Sequence, residues 1–564
     1  MTRVRIAAIL TICLAGSFLA AQEQPKAKAK PARVTVAAAK PTEPAKPKLT
    51  EEQRQALNLL EVSEAAARGA EPPMRSYSLL QIASSFPTPD EKRSRALLRD
   101  AFTASLEIHD DDETRAKLQE YIFVALLPFS LEDVQELLPQ SEARVRMQTS
   151  ESIISLYADK KQFDKAIELV HQVTGWDEFP YNGAGKLMDA MPADMIAEKQ
   201  SLFLEAVNSY KNHKHPGIRI GGSLTGLITR HSAGMNPKVL MAAMEEVLSQ
   251  SKSKDEKNQR AMTIGGDGGT VAFSSDYEYQ LFALIPLIQQ IDESRAKALL
   301  EENQSIQAML QQFPLGMQSV DPPRKAAEKK DQPQQQERQV VGSGVSSAST
   351  DKANANMSAQ QYQTMLARQR AQEIVAEAAT DPVQALAHAT TLPVTSGSAP
   401  ISPRGNTLAA IARLSAKKDP AVAGQALSEL RKIVPDMPLG MQSPALSTAA
   451  SVYLEMGDSD SAAKIVSEGF KVAEKLLEKD LDPEDPNKAL KAWWPSADAY
   501  RRFVEVQTKV SQRDTVNVLK EIKDPEIRAF ESIMYARALL GLPMKRTMVA
   551  EKRKGMNRTS ESTN

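Results

Sequence analysis

The residues of this chain best suited to chemistry are three histidines and a run of glycines. His213 and His215 sit two apart, His231 follows, and Gly265-Gly266-Asp267-Gly268-Gly269 comes shortly after Met262. Imidazoles at alternate positions of an extended segment can reach one zinc ion, and Asp267 can add a carboxylate. Such a set would serve a metal-dependent hydrolase. The surrounding sequence has no HExxH helix, no Gly-x-Ser-x-Gly elbow and no Walker phosphate loop. His213 and His215 alternate with Asn212 and Lys214 just ahead of Pro216-Gly217, which reads as a polar loop. The glycine run lacks the lysine and helix start of a phosphate cradle, so a long surface loop is expected there.

Two further clusters carry reactive side-chain types. Asp110-Asp111-Asp112-Glu113 gathers carboxylates that can hold a hard cation such as calcium. It lacks the spaced oxygens and central glycine of a calcium loop, and a solvated turn between two helices is expected. Trp493-Trp494-Pro495, with Tyr500 and Phe503, is the densest aromatic patch and can stack on a sugar or anchor a peptide. In a chain with 5% aromatics the same residues can plug a core, which is the expectation adopted. No spacing selects a Ser/His/Asp triad. The sequence therefore assigns no catalytic residue, no metal ligand and no cofactor, and it leaves the binding residues open.

The elements that must position these groups read as helices. Ala, Leu, Gln, Glu, Lys and 21 Met dominate, all good helix formers. Thr270 to Phe273 is among the few strand-like runs and looks too isolated to build a sheet. Asp381-Pro382, Asp419-Pro420, Asp524-Pro525 and Asn236-Pro237 each place an N-cap residue before a proline suited to a first turn. Thr50 with Gln53, and Ser358 with Gln361, have capping-box spacing. Helices should stop at Leu138-Pro139, Met191-Pro192, Leu392-Pro393 and Val434-Pro435, because the residue before proline is pushed out of the α region. Apolar stripes at helical spacing run from Leu299 to Phe313 and from Ile465 to Leu477. The expected fold class is all-α: helical-hairpin repeats, solenoid-like, in two lobes joined by a disordered linker.

Internal repetition supports hairpins. The hexapeptide Pro-Leu-Gly-Met-Gln-Ser occurs at 314–319 and again at 438–443, each time after an expected helix end. A turn with glycine at positive φ is the expected role of both copies. The Asp-Pro starts at 381 and 419 give a period near 38 residues, within the range of helical solenoids. Tyr157 with Ala166, and Ala450, Tyr453, Gly457, Ala462 and Gly469, sit at the small and aromatic spacings of tetratricopeptide repeats. These two segments resemble that family, without its Trp and terminal Pro. The resemblance implies a helical scaffold whose concave face binds peptides or proteins.

The ends of the chain differ from its body. Arg3 and Arg5, the apolar run Ile6 to Leu19 and the pair Ala20-Ala21 have the layout of a secretory signal peptide over 1–21. Cys13, the one cysteine, lies inside that run, behind an Ile12 too bulky for lipoprotein processing. Export to a bacterial periplasm or medium is expected, with no transmembrane segment in the mature chain. Residues 22–49 form an Ala/Lys/Pro-rich linker of charge +5, and the stretch 541–564, including the tail 543–564, carries +4. The body between them is left at −12, which disfavours nucleic acid as a partner. The lobes are expected at 50–319 and 358–542, separated by 320–357. The leading function is an exported, non-catalytic scaffold that binds a protein or peptide of unknown identity in the cell envelope or periplasm. The alternatives are the hydrolase at His213, His215 and His231, and a structural envelope protein attached by its basic tails.

Overall fold

The computed structural model describes residues 49–86, 91–176, 179–212, 223–255, 261–322, 359–395, 401–484, 487 and 489–542. Residues 1–48, which hold the expected signal peptide and nearly all of the 22–49 tract, lie outside them, as do nearly all of 320–357, Ser358, His213, His215 and residues 543–564. The chain is all-α. It starts with α1 (Glu51–Arg68), α2 (Pro72–Ala83), α3 (Glu91–Leu106), α4 (Asp112–Leu126), α5 (Leu131–Leu137), α6 (Ala143–Asp159), α7 (Phe163–Trp176) and α8 (Tyr181–Ala190). There follow α9 (Ile196–Asn212), α10 (Leu224–His231) and α11 (Pro237–Asp255), then strands β1 (Met262–Gly266) and β2 (Gly269–Phe273). Next come α12 (Asp276–Ile291), α13 (Glu293–Glu302), α14 (Gln304–Gln312) and α15 (Met317–Val320). The second stretch holds α16 (Ala359–Glu377), α17 (Pro382–Thr390), α18 (Pro403–Ser415), α19 (Pro420–Ile433) and α20 (Leu439–Glu455). It ends with α21 (Ser459–Asp480), α22 (Pro495–Val510), α23 (Gln512–Glu521) and α24 (Pro525–Leu539).

Local chemistry sets most of these boundaries. Thr50 Oγ1 accepts from the Gln53 amide at 3.2 Å while Gln53 Oε1 accepts from the Thr50 amide at 3.0 Å, a complete capping box. Asp381, Asp419 and Asp524 cap α17, α19 and α24, each with proline in the first turn. Helices α5, α8, α17 and α19 end two or three residues before Pro139, Pro192, Pro393 and Pro435. Met191 is extended, as the residue before a proline should be, whereas Leu138 and Val434 stay in the α region and lead through the proline into a short 3-10 turn.

Consecutive helices pack as hairpins: α2 on α3, α6 on α7, α18 on α19, α20 on α21. Ion pairs then tie helices one hairpin apart. Arg68 reaches Asp100 at a separation of 32 residues, Arg99 reaches Asp133 at 34 and Arg431 reaches Glu468 at 37. The segments around Tyr157 and Tyr453 are both helical hairpins, with Tyr157, Ala166, Ala450 and Ala462 buried. Gly469 lies against the fully buried Phe503 ring, where a Cβ would overlap ring carbons. The two stretches also meet: α1 and α2 pack on α24, the last helix of the chain.

Four local expectations are corrected. Thr270–Phe273 does form a sheet, because it pairs antiparallel with β1, Ile264 opposite Val271. The glycine run is the tight end of that hairpin. The Gly268 amide donates to the Val320 carbonyl at 2.8 Å, and a Cβ on Gly268 would run into the Ser319 carbonyl oxygen. The stripe from Leu299 to Phe313 is broken at Asn303 into α13 and α14. The hexapeptide copies diverge: Gly316 takes φ +59° against the Phe282 carbonyl, whereas Gly440 lies inside the first turn of α20 with open space around it.

Candidate functional site

The sequence candidates are dispersed by the fold, with one exception. His231 ends α10 and packs on α8, with Nε2 3.6 Å from Asp189 Oδ1. Burial holds its pKa below the ordinary histidine value, only partly opposed by Asp189 and by the Gly185 backbone. Asp267 belongs to the hairpin end that rests on α15. Among the described residues no group of three or more His, Cys, Asp or Glu side chains is placed to hold a metal ion. In the aromatic patch, Tyr500 and Phe503 flank Phe470, at centroid distances of 6.2 and 5.9 Å, and are buried.

The exception joins the acidic turn to the tryptophans. Asp110 and Asp111, between α3 and α4, share one cleft of about 400 Å³ with Trp494, from the loop between α21 and α22. Glu71-Pro72-Pro73-Met74, at the start of α2, and Glu526, at the start of α24, complete its walls, with Leu490 and Lys491. Met74, Ile108, Leu490 and Trp494 are buried and form an apolar floor. The Trp494 indole N–H donates to the Ala489 carbonyl at 2.7 Å, which fixes the ring in the floor. Lys491 Nζ stands 5.7 Å from the Trp494 ring centre and Lys117 Nζ stands 5.6 Å from that of Trp493. Both indoles therefore already carry a cation and are not open stacking platforms.

Charge is concentrated at the rim. Asp111 caps α4: Oδ1 accepts from the Thr114 amide at 2.9 Å and Oδ2 from the Thr114 hydroxyl at 2.5 Å, holding the carboxyl below the usual range. Asp112 pairs with Arg115 and Glu113 with Lys117, so the acidic run is a helix start. Burial opposes the charge on Lys491, but Glu526 at 2.7 Å and Asp524 at 2.9 Å outweigh it and raise its pKa. Glu107 pairs with Arg75. Glu71 and Asp110 stand exposed at the mouth. Three helix N-termini (α2, α4 and α24) point partial positive charge here, about half a unit each. Five carboxylates against one lysine on the lining exceed that, so the cleft stays negative.

No protein-family model matches this chain, and no curated protein is significantly similar to it. The site rests on its own geometry. Sequence reading missed Glu71, Pro72, Pro73, Lys491 and Glu526. Locally, Asp524-Pro525 ahead of Glu526 reads as a helix start and nothing more. The Glu71 amide donates to Glu526 Oε1 at 2.9 Å across 455 residues, and no local pattern encodes such a meeting.

Proposed function

We propose that this protein is an exported, non-catalytic helical scaffold that captures a peptide segment carrying lysine or arginine in the cleft between α2, α4 and α24. The observation that carries the reading is a negative rim above an apolar floor of Met74, Ile108, Leu490 and Trp494, the combination that seats an apolar residue beside a cationic one. Hairpins tied at separations of 32 to 37 residues support a repeat-like scaffold presenting that cleft on rigid walls. The carboxylates supply on-rate and register, while the floor supplies contact area.

A displayed peptide library panned on the full chain tests this. Enriched peptides should pair a lysine or arginine with an adjacent apolar residue. Their affinity should fall about five- to tenfold in the Glu71→Gln, Asp110→Asn double variant and weaken with salt. Peptides without basic residues, or equal affinity for the double variant, would overturn the reading. Tighter binding on removal of residues 543–564 would name the basic tail as a competing occupant.

A further inference from the structure

Packing fixes the walls of the cleft. Tyr77 rests on Phe530, ring centroids 5.5 Å apart, and meets Trp493 edge-on at 6.2 Å, which holds α2 and α24 beside the floor. Three of the five lining carboxylates are engaged: Asp111 by Thr114, Glu107 by Arg75 and Glu526 by Lys491. Glu71 and Asp110 stand exposed at the mouth, so a cation arriving from solvent meets these two first. The helix that carries Glu526 is also the one from which the C-terminal segment departs. Gly541, at φ +69°, closes α24: its amide donates to the Ala538 carbonyl at 2.9 Å and the Leu542 amide to the Arg537 carbonyl at 2.9 Å. A left-handed residue there turns the chain off the helix axis, and the next residue in sequence is Pro543, a type that does not continue a helix.

Residues 543–564 carry six basic and two acidic side chains, +4 in all, opposite in sign to the cleft. From Glu526 to Leu542 the helix and its cap rise about 24 Å at about 1.5 Å per residue. Extended chain covers that distance in about seven residues, and about ten allow a path around side chains. Ten residues beyond Leu542 begins Lys552-Arg553-Lys554, followed closely by Met556. That spacing brings a block of cations to Glu71 and Asp110, with an unbranched, adaptable side chain beside them for the floor of Met74, Ile108, Leu490 and Trp494. The 22–49 tract is basic too, but its lysines alternate with alanine and proline, and its apolar residues ahead of Leu49 are no larger than valine.

We propose, on the footing of the peptide reading above, that Lys552-Arg553-Lys554 with Met556 occupies the cleft as an internal plug, which a basic partner peptide must displace. A tether of about ten residues presents the plug at a local concentration on the order of 1 mM. A segment whose own Kd is about the same then fills the cleft about half the time or somewhat more. It weakens an external peptide about two- to threefold by competition.

The test compares the full chain with two full-length variants of equal charge change: Lys552→Gln, Arg553→Gln, Lys554→Gln in the tail, and Lys26→Gln, Lys28→Gln, Lys30→Gln in the other basic tract. Calorimetric titration with acetyl-Lys-Leu-Lys-Leu amide at low salt should show the tail variant binding about two- to threefold more tightly than the full chain. Without the probe, hydrogen-exchange protection at 71–74, 107–114 and 489–494 should fall in the tail variant. The Lys26, Lys28, Lys30 variant should match the full chain in both measurements. An equal gain from that variant would reduce the effect to net charge and overturn the plug. Equal affinity and equal protection in all three chains would overturn the plug and leave the peptide reading standing. A probe that binds none of them would remove the peptide reading. Protection alone then decides: a fall in the tail variant upholds the plug, and no change overturns it.

Discussion

At the β1–β2 hairpin, glycines bring backbone against backbone. The Gly268 amide donates to the Val320 carbonyl, and Gly266 and Gly268 lie against the end of α15 with no room for a Cβ. At the α2–α24 seam, bulky and charged side chains from distant segments meet and leave a cleft with a negative rim. Both regions hold residue types that can do chemistry. The hairpin consumes its residues in packing, whereas the seam keeps Glu71 and Asp110 at the surface. Reactive residue types thus mark a site only where the packing around them remains incomplete.

The largest separation of the two regions should come from Tyr77→Ala. Removing a fully buried ring from the seam should cost about 3–5 kcal/mol and abolish peptide binding, read by denaturant unfolding and calorimetric titration. Retained binding would detach the cleft from the seam. Gly268→Ala comes next. Overpacking against Ser319 should cost about 1–3 kcal/mol while leaving peptide affinity within twofold. A large loss of affinity there would return the hairpin to candidacy. Asp111→Ala removes the α4 cap, with an expected loss of about 1 kcal/mol and a modest fall in affinity.

The smallest effect concerns His231, where the folded state prefers the neutral ring. Its contribution to stability is complete above the ordinary histidine pKa, about 6.5, and is lost as pH falls through the lowered folded value. His231→Gln should flatten the decline of Tm between about pH 7 and pH 5, with no change in peptide binding at pH 7. An unchanged slope would place the ring in solvent.

Helix boundaries were legible because their causes are local: a carboxylate that accepts from the amide three residues on, or a proline two or three residues after a helix end. The all-α class followed from composition for the same reason. The two hexapeptide copies show where local reading stops. Identical residues turn at Gly316, where the Phe282 carbonyl crowds in, and continue as helix at Gly440, where nothing does. The strand 269–273 was undervalued because its partner, 262–266, looked like loop sequence. The cleft lay furthest from reach. Asp110–Asp111 and Trp494 were visible as clusters, but their meeting depends on α1 and α2 docking against α24.

Hydrogen exchange on the intact chain, with and without acetyl-Lys-Leu-Lys-Leu amide, tests the central claim most directly. The account predicts that protection rises together at residues 71–74, 107–114 and 489–494, with the 262–273 hairpin unchanged. Protection confined to one of those segments, or centred on the hairpin, would contradict it.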